Sequence, residues 1–103
     1  MNATKALVKR DDILAVLRGF KRDYAERYGI LKIGVFGSFA RDEAGEDSDV
    51  DIVFQTDEPN LFRTARMKQE LESLLSRPVD VVRWREGLNP RLKRRIVREA
   101  RYL

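Results

Sequence analysis

A chain of 103 residues, 43% hydrophobic and 37% charged, has the size and balance of one globular domain, read as residues 1–103. It holds no cysteine and no histidine, which excludes disulfides, thiolate chemistry, cysteine zinc sites and Ser-His-Asp catalysis. Acid–base work then falls to Asp, Glu, Lys or Tyr, and a metal must accept oxygen ligands, which favours magnesium or manganese. Lys and Arg number 21 against 17 Asp and Glu, a net +4; that balance suits a partner bearing phosphate without identifying nucleic acid. No apolar run approaches the roughly 20 residues needed to span a bilayer. The opening Met1 to Lys5 lacks the layout of a signal peptide, so no membrane association and a cytoplasmic location are expected.

In chain order, Asp11 and Asp12 can cap a helix over residues 11–28, with Ile13, Leu14, Val16, Leu17, Phe20, Tyr24 and Tyr28 at helical spacing. Gly29 is a natural stop. Leu31 to Phe36 reads as a strand, Ser38 to about Asp42 as a short helix, and Gly45 to Ser48 as a turn. Asp49 to Phe54 is a second strand. After a break at Asp57 to Asn60, Asn60 can cap a helix through Leu75 whose apolar positions are Leu61, Ala65, Leu71, Leu74 and Leu75. Pro78 opens a third strand, Val79 to Val82. Asn89 and Pro90 form an N-cap and N1 pair for a last helix carrying Leu92, Ile96, Val97 and Ala100. The order is α-β-α-β-α-β-α, an α+β arrangement.

Two features of this string carry chemistry. Gly37 lets the backbone turn sharply and approach a ligand, and Ser38 opens a helix whose free N–H groups and hydroxyl can meet a phosphate; the same pair also fits an ordinary strand–turn–N-cap. Ten residues later come Asp49 and Asp51. Two apart on a strand, they project to the same face, where their charges repel unless a cation or proton intervenes. Asp80, an acid inside an apolar strand, is expected to face the same site, because a buried unpaired charge is costly. An edge-strand position in water is its other reading. Arg41, one turn after Ser38, can touch a triphosphate or pair with Asp42, Glu43 or Asp47 to hold the loop.

Other motifs fit less well. Asp47, Asp49, Asp51 and Glu58 imitate an EF-hand loop, but Ile52 stands where the sharp turn needs glycine. No Gly-Lys-Ser/Thr follows the turn, so it is not a Walker loop. On the last helix Arg91, Arg94, Arg95 and Arg98 form a stripe expected to be a solvated face; direct nucleic-acid binding is possible but not favoured, since no aromatic-rich RNA motif accompanies it.

Gly37-Ser38, ten residues, Asp49-x-Asp51 and a strand-borne Asp80 together resemble the signature of the DNA-polymerase-beta-type nucleotidyltransferases. The wording Gly-Ser-Phe-Ala-Arg and Asp-Ser-Asp-Val-Asp-Ile is similar to the minimal nucleotidyltransferase branch, from about Gly29 to the C-terminal helix. The resemblance implies the nucleotidyltransferase fold, a small mixed sheet flanked by helices. It implies that Asp49, Asp51 and Asp80 hold two magnesium ions, with Asp80 also able to take a proton, and that Gly37 and Ser38 bind the β/γ-phosphates of ATP. It further implies an antitoxin that moves AMP from Mg-ATP onto a hydroxyl, a tyrosine in some cases, of a partner HEPN ribonuclease toxin in a hetero-oligomer. A non-catalytic antitoxin acting by binding, and a small-molecule nucleotidyltransferase, are the alternative readings.

Overall fold

Short apolar runs that alternate sides can bury both faces only if helices cover both, and this chain does so. The computed structural model describes residues 9–103; the reading of Met1 to Lys5 lies outside them. The elements are α1 (Arg10–Tyr28), β1 (Lys32–Phe36), α2 (Gly37–Ala40), β2 (Val50–Gln55), α3 (Leu61–Leu75), β3 (Val79–Arg83), α4 (Pro90–Glu99) and β4 (Arg101–Tyr102). The strands form one mixed sheet in the order β3-β2-β1-β4. β1 runs antiparallel to β2 and β4, whereas β2 and β3 are parallel, as a crossover through α3 requires.

Strand alternation sorts the core into two parts. Ile33, Val35, Ile52 and Phe54 face Ile13, Leu17 and Phe20 of α1 and Met67 and Leu71 of α3. Phe36 and Val53 face the other way, toward Ile96 of α4, with Val82, Trp84 and Leu92 alongside. Each fully buried Leu, Ile or Phe contributes on the order of 1.5–3 kcal/mol relative to exposure, so this two-faced sheet is the chief source of stability. No helix among the described residues is long and apolar enough to cross a membrane.

The expected caps form where side-chain chemistry allows. Asn60 accepts from the Arg63 N–H at 3.0 Å, Asn89 accepts from Arg91 and Leu92, and Gly29 takes the left-handed φ of +63° that ends α1. At the start of α1 the residue outside the helix is Lys9, and Asp12 caps from within the first turn by accepting the Lys9 N–H at 3.0 Å. Four residues assigned to apolar helix faces are instead exposed: Leu61, Ala65, Leu74 and Val97. β4 is the element that periodicity misses, since two residues have no period. Its place is marked by Gly34, where a Cβ would meet the Arg101 carbonyl oxygen of the adjacent strand at 2.5 Å. The EF-hand reading fails physically, because Ile52 is fully buried within a strand.

Candidate active site

β1 ends at Phe36 and the chain turns at Gly37, whose φ of +74° lies in the left-handed region. Glycine is needed there for a second reason: a Cβ would overlap the Asp51 carboxylate. Sheet register does the rest. Phe36 lies opposite Asp51 across the antiparallel pair, and Asp51 lies opposite Asp80 across the parallel pair. By alternation Asp51 and Asp80 share the sheet face that carries Val53 and Val82, the face packed by α4. The sheet thereby brings Gly37, Asp51 and Asp80 to one edge of that face, with Asp49 just before β2 begins.

The three acids differ in surroundings. Asp51 is half-buried, while Asp49 and Asp80 are exposed. Asp80 occupies an outer strand in contact with solvent and lies opposite Asp51 in the register. Burial pushes the Asp51 carboxyl above the usual carboxylate range. The Asp80 charge pushes the same way, Arg95 pulls back, Asp49 adds to the rise, and Arg41 opposes it. Among the described residues no three acidic side chains are gathered into a ready-made metal cluster. The donors are all carboxylate oxygens, which fits magnesium. That ion commonly takes one or two protein carboxylates, several waters and substrate phosphates rather than a complete protein cage.

The loop between the turn and β2 is held by a residue that sequence reasoning missed. Arg77, only 6% exposed, donates through Nη1 to the Glu46 carbonyl at 2.8 Å and to those of Gly45 and Ser48 at 3.4 Å. Its guanidinium lies 5.2 Å from the centre of the Phe39 ring. Arg77 thus ties the Gly45 to Ser48 turn, also closed by the Gly45 N–H to Ser48 Oγ bond at 2.8 Å, to the start of β3. Arg41 does pair with Glu43, at 2.8 Å, as its loop-holding reading allows, but it also reaches Glu99 of α4 at 3.0 Å. The arginine stripe of α4 is exposed, as its solvated reading has it, but Arg95 also makes contacts toward the site. This side chain lies over Phe36, close enough to Asp51 to oppose its protonation, and 3.9 Å from Glu99. The spacing of Arg95 and Glu99, four apart on a helix, was visible in the sequence; their proximity to Asp51 was not.

An acid pair on adjacent strands against a glycine turn is the arrangement that the nucleotidyltransferase resemblance implies, and the comparisons with known proteins bear on the family directly. The profile of the nucleotidyltransferase domain family matches residues 17–103. The chain belongs to this family, in its minimal nucleotidyltransferase branch, and is an enzyme of the protein adenylyltransferase type. It is 37% identical over 99 residues to the protein adenylyltransferase MntA of Thermococcus cleftensis, a match covering 95% of this chain and 99% of that protein. A solved structure attributed to a minimal nucleotidyltransferase superposes with a TM-score of 0.76 at 38% identity, covering 95% of this chain and 99% of the other. A structure of a tri-AMPylated Shewanella oneidensis HEPN toxin in complex with MNT antitoxin contains a chain of the same fold. There the TM-score is 0.67 at 19% identity, over 90% of this chain and 70% of that one.

Proposed function

We propose that this chain is an antitoxin that transfers AMP from Mg-ATP to a hydroxyl, that of a tyrosine, on a partner HEPN-type toxin, releasing pyrophosphate and neutralising the partner. The observation that carries the reading is the register that sets Asp51 beside Asp80 and presses Gly37 against the Asp51 carboxylate. It is supported by the adenylyltransferase activity named for the Thermococcus relative and by the toxin complex that shares the fold.

Asp49, Asp51 and Asp80 would hold magnesium. Bound there, the metal supplies charge neutralisation for the triphosphate and acidifies the acceptor hydroxyl. The chain's own residues account for the rest. The Gly37 turn and Ser38 bind the β/γ-phosphates, and Arg41 and Arg95 add positive charge where negative charge develops on the leaving group. The acceptor oxygen attacks the α-phosphorus, the bond from that phosphorus to the bridging oxygen breaks, and pyrophosphate leaves. Asp80 takes the hydroxyl proton. Its exposure on the outer strand lets a hydroxyl carried by another protein reach it.

The test mixes the protein, magnesium, the protein encoded by the neighbouring gene, and ATP labelled at the α-phosphate. Label appears on the partner, and Asp51→Asn abolishes it. A partner neutralised without label would overturn the catalytic reading, and label arriving from the γ-phosphate would indicate a kinase.

A further inference from the structure

The backbone N–H of Gly37, assigned above to nucleotide phosphate, already has a partner: it donates to Glu99 Oε1 at 3.1 Å. The same oxygen accepts from Arg41 Nη1 at 3.0 Å and lies 3.9 Å from Arg95 Nη2, while Oε2 lies 3.8 Å from Arg98 Nη2. One carboxylate thus collects a backbone N–H and three guanidinium groups. Its side chain is 10% exposed, against 40%, 45% and 69% for Arg41, Arg95 and Arg98. The acid is aimed rather than loose. Glu99 closes α4, and after Ala100 the residues Arg101 and Tyr102 pair with β1 as β4, where Gly34 lies opposite Tyr102 and Val35 opposite Arg101.

A carboxylate surrounded by an N–H donor and arginines occupies the environment that a phosphate oxygen requires. We propose that Glu99 is an internal stand-in for nucleotide phosphate, a positioning residue that keeps Gly37, Arg41 and Arg95 gathered in the free enzyme and yields them to the polyphosphate. This inference rests on the nucleotidyl-transfer reading of the site. The Gly37 N–H cannot serve both acceptors, and two anions in one cradle repel. Binding is therefore an exchange: the phosphates take over the Gly37 N–H and the charges of Arg41 and Arg95, and the Glu99 carboxylate swings out. The arrangement keeps the arginines from turning toward Asp51 or solvent before nucleotide arrives, at the expense of affinity.

The experiment measures binding of tripolyphosphate with magnesium, and of adenosine, by calorimetry for the unaltered protein and for Glu99→Gln. The amide keeps the shape and can still accept the Gly37 N–H, but it brings no charge. Removing one like charge at contact distance tightens tripolyphosphate binding by about fivefold and leaves adenosine binding unchanged. Unchanged or weaker tripolyphosphate binding overturns the proposal; a weaker one would mean that Glu99 orients the arginines within the complex. A second measurement needs no variant. In the unaltered protein the Gly37 amide and the Glu99 side-chain carboxyl resonances move together, with one apparent Kd, as tripolyphosphate is added. A Glu99 signal that stays still while Gly37 moves refutes the exchange. Transfer of AMP to the partner is assayed in parallel. If the unaltered protein transfers AMP while either Glu99 test fails, only this inference falls; if it neither binds tripolyphosphate nor transfers AMP, both readings fall.

Discussion

Replacing Gly37 by alanine perturbs the site at its narrowest point. Two costs can be worked from the structure. At φ +74° a residue with a Cβ is strained by roughly 1–2 kcal/mol. The added methyl also overlaps the Asp51 carboxylate, which must leave its place at a rotamer cost of about 0.5–1.5 kcal/mol. The sum, about 1.5–3.5 kcal/mol, corresponds to a fall of about 7–17 °C in Tm for a domain near 100 residues. Function suffers more than stability, since a carboxylate displaced by about 1 Å reduces rate by about a hundredfold. The variant is to be melted by circular dichroism, and its AMP transfer measured at a temperature where it remains folded. Gly45→Ala is the control. A Cβ there meets nothing within 4 Å, so stability stays within about 0.5 kcal/mol and transfer is retained. The reasoning is refuted if Gly37→Ala melts and transfers like the unaltered protein, or if Gly45→Ala is equally damaged.

Other outcomes follow from the same contacts. Arg77→Met leaves the Glu46, Gly45 and Ser48 carbonyls without their donor, and should lower stability in urea by about 2–3 kcal/mol while weakening transfer, because the turn it holds leads into Asp49. Leu71→Ala, at a fully buried position of α3, should lower stability by about 2–5 kcal/mol, whereas Val97→Ser on the exposed face of α4 should shift it by less than about 0.5 kcal/mol. Asp51→Asn should raise Tm at neutral pH while abolishing transfer. Burial and the neighbouring acids lift the folded Asp51 carboxyl above its unfolded value, so its ionised form costs stability above that folded value, and the amide removes the cost. Glu72 has the opposite sign. The Val79 N–H and Lys68 hold its carboxyl below the ordinary glutamate value, so its contribution is present above the unfolded pKa and lost as pH falls through the folded one. Glu72→Gln should flatten the drop in Tm between pH 5 and pH 3, measured by thermal melts.

How much could be read from the chain alone depended on the range of the physics involved. Local rules settled the helices, their caps at Asn60 and Asn89, the stop at Gly29 and the first three strands, because each is decided by neighbours within a turn or two. The same locality exposed Gly37 and the Asp49-x-Asp51 pair, since both are chemical spellings of one turn and one strand. What the string could not decide was who stands across from whom. Strand order and parallel register, set by burying both faces of the sheet at once, placed Asp80 beside Asp51 and made Gly37 sterically obligatory. α4, followed at once by the strand that pairs with β1, brings Arg95 of the solvated stripe and Glu99, to which the sequence assigns no role, to the cradle. Arg77 gave no local sign of its role, because its partners are carbonyl oxygens about thirty residues earlier in the chain. Residue chemistry is written locally, but the juxtaposition of charges that makes this a site is a consequence of packing, which only the folded sheet determines.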